Sequence, residues 1–322
     1  MDKIRYFPLR VLALFIAVFT LLFFGKSGGE AYQLRDAENC KFHFTVLSDV
    51  HTEAINEPRS RAIVESLQRV TKCDTPNDAI LFLGDCTTNA QYIENLIFHG
   101  LNEVLLRGET IIPVLGNHDA GNGEGNPAMY MNRWYRFVEA FYGLKLEHPY
   151  YYRVVNGYYF IVLGSEANTV GEGVISNAQF AWLEDTLAQA AESGKPAFVL
   201  FHFPPNCVMD ENHEITTRLS EILSDYYREH DVFYLCGHYH FSLNLGTFRL
   251  QNGYPYVNTP SLSRLSSDDP PAMDEQTGEG FEVEIYEDSV LMRGRNFRLC
   301  EWVYENGRPV ERSYTLKNPI TD

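Results

Sequence analysis

Six short segments rich in β-branched and aromatic residues recur along the chain, at Phe42–Leu47 and at residues 79–83, 111–115, 158–163, 197–201 and 232–235. Between them, apolar residues repeat at helical spacing: Ile63, Leu67, Val70; Ile93, Ile97, Leu101, Val104; Trp134, Phe137, Val138, Phe141; Phe180, Leu183, Leu187, Ala190; and Ile215, Leu219, Ile222, Tyr226. Steps of three and four return to one helix face, while short strands that are apolar throughout have both faces covered. This alternation restricts the chain to an α/β fold with buried sheets. After His240 the pattern changes to alternating stretches, among them residues 281–286 and 290–295, which predict antiparallel strands completing a second sheet. Residues 261–280 predict a long loop, a cover over a site or plain surface. Neither a repeat nor an interdomain linker interrupts the chain, so residues 32–322 are predicted to form one domain with a β-rich C-terminal part.

With 45% hydrophobic residues, including 21 Phe and 20 Tyr, the chain can fill a packed core, which excludes a disordered or fibrous protein. Its 43 acidic residues against 26 basic ones give a net charge of −17. Nucleic-acid binding draws on clustered Lys and Arg, so the balance argues against a polyanion partner.

Lys3, Arg5 and Arg10 precede an apolar run over residues 11–24, and small residues follow it. The run is short of the roughly 20 residues of a spanning helix and fits a secretory signal peptide, although no clean Ala-x-Ala site follows. Residues 1–31 are therefore expected to be a signal peptide or, uncleaved, an N-terminal membrane anchor. The protein would be exported, secreted or held outside the cytoplasm by that segment. Export permits disulfides; of the six cysteines, Cys40 and Cys73 each precede a predicted strand and could pair. Cys86 and Cys236 read as small buried residues.

Five polar clusters stand where the predicted strands end: Asp49 and His51; Gly84-Asp85; Gly116-Asn117-His118-Asp119; His202; and Gly237-His238-Tyr239-His240. In open α/β sheets, ligands bind outside the carboxyl ends of the strands. Imidazole and carboxylate together suit a divalent transition ion, and a pair of ions needs a carboxylate that can bridge them, a role that suits Asp85. Each cluster alone would be an ordinary turn; five in order at strand ends point to a metal site. His43, His99, His148 and His230 have no such company and read as structural.

With these residues the sequence resembles the calcineurin-like metallophosphoesterase superfamily, whose blocks D-x-H, GD, GNH(D/E), H and GHxH all occur in order. It looks most like the group that contains class III cyclic nucleotide phosphodiesterases and acid sphingomyelinase-like enzymes. Thr88, three residues after Asp85, departs from purple acid phosphatases and from Ser/Thr protein phosphatases. The resemblance implies a four-layer α/β/β/α sandwich with two mixed β-sheets. It also implies two divalent transition-metal ions (Mn, Fe or Zn), one on Asp49, His51 and His240, the other on Asn117, His202 and His238, with Asp85 bridging. The expected reaction is hydrolysis of small phosphomonoesters or phosphodiesters by a metal-bridging hydroxide, with His118 as general acid. Asp119 would orient the His118 imidazole or cap the following loop. The alternative is a non-catalytic metal-binding or partner-binding module on the same fold. Substrate choice is expected in residues 120–126, 166–173 and 206–213.

Overall fold

The computed structural model describes residues 6–24, 31–53, 57–106, 108–251, 253–263 and 278–320. In chain order these form α1 (Phe7–Phe24), β1 (Phe42–Leu47), α2 (Glu57–Val70), β2 (Ala79–Phe82), α3 (Tyr92–Leu105), β3 (Thr110–Pro113) and α4 (Pro127–Tyr142). There follow β4 (Tyr151–Val155), β5 (Tyr158–Val162), β6 (Gly173–Val174), α5 (Asn177–Ala191), β7 (Ala197–Leu200), β8 (Val208–Met209), α6 (Arg218–Tyr227) and β9 (Val232–Cys236). The last part is all strand: β10 (Phe248–Gln251), β11 (Tyr254–Asn258), β12 (Glu279–Ile285), β13 (Ser289–Asn296), β14 (Glu301–Trp302), β15 (Tyr304–Glu305), β16 (Arg308–Pro309) and β17 (Glu311–Thr315).

Two mixed sheets result. The first has the order β14-β13-β12-β1-β2-β3, with β17 also on β13; the second has the order β10-β11-β9-β7-β5-β4. Strands β1, β2 and β3 are parallel, as are β5, β7, β9 and β11. The C-terminal strands correct one expectation. Only β10 and β11 join the second sheet, while β12, β13, β14 and β17 extend the first. The open edge of β1 explains this: Phe281, Val283 and Ile285 register opposite Val46, Phe44 and Phe42 and continue the same apolar face.

Alternation along each strand builds the layers. Phe42, Phe44 and Val46 of β1 meet Phe198 and Leu200 of β7 and Phe233 of β9 between the sheets. The opposite faces of the same strands carry Leu47 toward one helical layer and Val199 and Tyr234 toward the other. Ile63 and Leu67 of α2 and Phe98 and Leu101 of α3 cover the first sheet. Phe180 and Leu183 of α5 and Leu219 and Leu223 of α6 cover the second. The architecture is thus α/β/β/α. Phe198 stands at its centre, edge-on to Phe44 at 4.9 Å and stacked on Phe160 and Phe233 at 5.4 Å. Truncating a buried Phe such as this costs about 3–5 kcal/mol.

The apolar N-terminal run forms α1, which lies on α3. Ala13 and Ala17 meet Gly100 so closely that a Cβ there would sit 2.4 Å from the Ala13 carbonyl oxygen. Arg10 pairs with Glu103, and the Tyr6 hydroxyl donates to Glu139 at 2.6 Å. Its outer face exposes Phe7, Phe15, Phe19, Leu22 and Phe23. Among the described residues no helix is long and apolar enough to cross a membrane. Residues 25–30, where cleavage is expected, and most of the long loop at 261–280 lie outside the described residues. All six cysteines are free, so the Cys40–Cys73 pair is not formed; the Cys40 thiol lies instead on the Phe42 carbonyl at 3.3 Å. Cys86 and Cys236 are buried as expected.

Candidate metal centre

The five polar clusters converge where β1, β2, β3, β7 and β9 end. Asp49, His51, Asp85, His238 and His240 have φ values of 50°, 46°, 50°, 78° and 54°. Side-chain-bearing residues enter this left-handed region at a cost of about 1–3 kcal/mol each when strained, and such strain gathers at functional sites. Backbones also crowd together. A Cβ on Gly116 would stand 2.1 Å from Asp85 Oδ1, and one on Gly237 would stand 2.6 Å from Asp49 Oδ2. Neither position accepts a larger residue without displacing a carboxylate.

One atom each from Asp49, His51, Asp85 and His240 can be chosen so that all four lie within 4.8 Å of one another. His240 Nε2 is 3.1 Å from Asp49 Oδ1, and His51 Nε2 is 3.7 Å from Asp85 Oδ2. The backbone N–H of His118 donates to Asp85 Oδ1 at 2.9 Å, which turns Oδ2 toward both His51 and, at 3.3 Å, His202 Nε2. A single oxygen therefore faces two groups of ligands. His202 Nδ1 donates to the Leu83 carbonyl at 2.8 Å, which aims Nε2 at Asp85 and at Asn117 Oδ1, 3.0 Å away. The Asn117 amide is oriented in turn by donation to Asn122 at 2.8 Å. His238 joins the second group through its ring, 5.2 Å from that of His202.

This donor set fits cations. His51 Nε2 and His240 Nε2 lie 3.0 Å apart, although burial lowers His51 to about 3 and keeps it neutral. Its buried Nδ1 has no partner among the described residues. Burial alone would raise Asp85, but the charge and hydrogen bond of His202 and the charge of His51 hold its carboxyl well below the ordinary range. Conversely, burial lowers His202, but Asp85 and Asp49 outweigh it and raise the imidazole to about 9. Without an ion the carboxylates thus draw a proton onto a ligand nitrogen, and a cation would take its place.

Residues 118 and 119 divide the work differently from one sequence expectation. His118 Nδ1 donates to the Thr88 carbonyl at 2.6 Å, and its ring lies 4.8 Å from that of His51. Asp119 does not hold that imidazole. Its carboxylate accepts from the backbone N–H groups of Gly116, Cys86 and Thr87 and from the Thr87 hydroxyl, at 2.8–3.2 Å. It ties the Asp85 loop to the Asn117 loop through residues that all precede it, rather than capping the loop that follows. Burial and the neighbouring Asp85 charge push it up to about 6.

Sequence reasoning missed several supports. Ser261 and Ser263 donate to the Asp49 and Val50 carbonyls, and Asn258 donates to Gly237. Asn258 closes β11 and the two serines follow it, where no motif marks them. Asn122 was discoverable as the Asn of a Gly-rich loop, a residue that bonds locally.

An α/β/β/α sandwich with such a cluster on its strand ends defines the metallophosphoesterase class. The chain belongs to the calcineurin-like phosphoesterase family, whose family model matches residues 42–242. A dimetal phosphatase from Danio rerio has a similar fold, with a TM-score of 0.54 at 16% identity over 80% of this chain and 97% of that one. A predicted phosphoesterase from Streptococcus pneumoniae gives 0.38 at 13% identity over 85% and 97%, and a 5′-nucleotidase from Candida albicans gives 0.44 at 12% over 80% and 49%. No curated protein matches the chain.

Proposed function

We propose that this protein hydrolyses small phosphomonoesters or phosphodiesters with two divalent transition-metal ions, Mn, Fe or Zn. The observation that carries the reading is Asp85 Oδ2, which faces His51 on one side and His202 on the other. Asp49, His51 and His240 would hold one ion, Asn117, His202 and His238 the other, and Asp85 both. When bound, such ions polarise the phosphoryl oxygens and make water nucleophilic near neutral pH.

The chain's own residues supply position and a proton. Asn122 and Leu83 fix the Asn117 amide and the His202 ring before any ligand arrives, so no reorganisation is needed during reaction. His118 keeps its Nδ1 proton on Thr88, which leaves Nε2 as the atom that can pass a proton to the leaving oxygen. The acidic chain also selects substrates. At a net charge of −17 it repels long polyanions, so a phosphate ester is attracted only where cations outnumber Asp49 and Asp85. Poor phosphate binding by metal-free protein follows.

The test is hydrolysis of nitrophenyl mono- and diesters by folded protein loaded with Mn²⁺, Zn²⁺ or Fe²⁺. Turnover with at least one metal is expected; none with any metal would sink the proposal. We also propose that the protein acts outside the cytoplasm, on the strength of Lys3, Arg5 and Arg10 before an apolar helix. Fractionation of producing cells tests it, and recovery from the cytosol alone contradicts it.

A further inference from the structure

Rings form a continuous row from the candidate metal centre to the surface. The His202 ring lies 5.2 Å from Phe203 and from His238, His238 lies 5.8 Å from Tyr239, and Tyr239 lies 5.3 Å from Phe241. The last ring is 52% exposed, although it directly follows the candidate ligand His240. A lone exposed Phe is ordinary. This one extends a fixed surface: the Tyr239 hydroxyl accepts from Asn206 at 2.6 Å and lies 3.2 Å from the Cys207 thiol, so its ring is pinned at the polar end. The two rings are tilted by 40°; Tyr239 lies between the two candidate ligand histidines and Phe241 directly follows the second.

We propose that Tyr239 and Phe241 form an aromatic ledge that binds a planar aromatic part of the ester substrate, a nucleobase or an aryl group. The inference rests on the phosphoesterase reading and narrows its substrate class. Phosphate chemistry at the strand ends fixes one end of the substrate, and the ledge offers π-faces to whatever ring hangs from it. A ring face stacks on Tyr and Phe without needing hydrogen bonds, so the ledge would tolerate many planar groups and discriminate against saturated ones.

Matched esters with the same kind of leaving alkoxide isolate this contact. Adenosine 5′-phosphate is compared with ribose 5-phosphate, and benzyl phosphate with cyclohexylmethyl phosphate, each also as its methyl diester, on metal-loaded full-length protein. In at least one pair the ring-bearing member should be preferred by about 5- to 100-fold in kcat/KM. Phe241→Ala and Phe241→Leu should collapse that preference mainly through KM. Leu keeps apolar volume without a π-face, so it also controls for folding. Preference in the nucleoside pair alone assigns the ledge to nucleobases, and preference in the benzyl pair alone assigns it to aryl groups. Equal rates within both pairs, or an equal loss for both members in Phe241→Leu, overturns the ledge while leaving the hydrolase intact. Turnover of nitrophenyl esters but of no member of any pair overturns the ledge alone, and turnover of neither removes the phosphoesterase reading and the ledge with it.

Discussion

Among the described residues, two buried clusters that mix histidine with carboxylate can be compared, and one of them is built for a cation. On the helix-facing side of the first sheet, His43 Nε2 meets Glu282 Oε2 at 3.0 Å, and the Thr45 hydroxyl contacts the same oxygen at 2.8 Å and Asn77 at 3.0 Å. Arg295 supplies positive charge beside Glu282 and lies 3.8 Å over the Tyr32 ring. His43, Thr45, Glu282 and Arg295 sit on the regular strands β1, β12 and β13. At the strand ends, by contrast, His51 Nε2 and His240 Nε2 face one another at 3.0 Å and the backbone is left-handed. His43 Nδ1, Glu282 Oε1 and Arg295 Nε and Nη2 have no hydrogen-bond partner among the described residues, so what marks the His43 cluster as structural is regular backbone and a carboxylate answered by Arg295. A cluster whose lone pairs converge, on strained backbone, is waiting for a cation.

Substitutions can break that contrast. Asp85→Ala has the largest expected effect: it removes the shared oxygen, so both bound metal and turnover should fall, by more than any other single change. Metal analysis and rates on folded protein check this. His118→Ala comes next, with a loss of about 10²–10⁴ in rate and metal retained. Loss of metal in that variant would contradict the role given to His118. In the other cluster, Glu282→Ala strands the buried Arg295 charge and should cost about 3–5 kcal/mol of stability. Metal content per folded molecule should not change, and a loss of metal there would erase the distinction between the clusters. Asp119→Asn should weaken metal affinity about 10- to 100-fold, because it disturbs the loops that carry Asp85 and Asn117 rather than a ligand.

The sequence made one side of this contrast far more legible than the other. Ligand residues follow a Gly or close a strand in short blocks, and the Gly residues at 84, 116 and 237 betray the close backbone approach the structure shows. Strand and helix positions were equally readable, since period-two and period-3.6 patterns record which faces are buried. That β12, β13, β14 and β17 join the first sheet and not the second was not legible, because alternation says that a strand has an inner face but not which edge it will join. The tie that Asp119 makes between two loops was hidden for a related reason. An Asp beside a His suggests a pair, whereas its actual partners are backbone N–H groups at residues 86, 87 and 116, which no side-chain pattern records. The His43 cluster could be read as structural only because His43 lacked a neighbouring motif; its partner Glu282 lies 239 residues away.

A third kind of buried carboxylate sharpens the comparison with the smallest expected effect. Glu279, at the start of β12, accepts one hydrogen bond, from the Leu243 N–H at 2.8 Å, and burial raises it to about 7. Asp85 is lowered because imidazoles answer its charge, whereas Glu279 is raised because burial outweighs the neutral N–H of Leu243. Between its ordinary value near 4.5 and about 7, the folded protein holds a proton that the unfolded chain has released. Stability should therefore fall as pH rises through that window and be unaffected by this group below it. Glu279→Gln keeps an acceptor for Leu243 and cannot ionise, so it should remove this slope. The variant should match the parent near pH 4.5 and exceed it at pH 8 by on the order of 1 kcal/mol in denaturant unfolding. Parallel stability profiles for the two proteins would show that Glu279 is ionised in the fold, and that burial without a positive neighbour is not what separates it from the carboxylates of the metal centre.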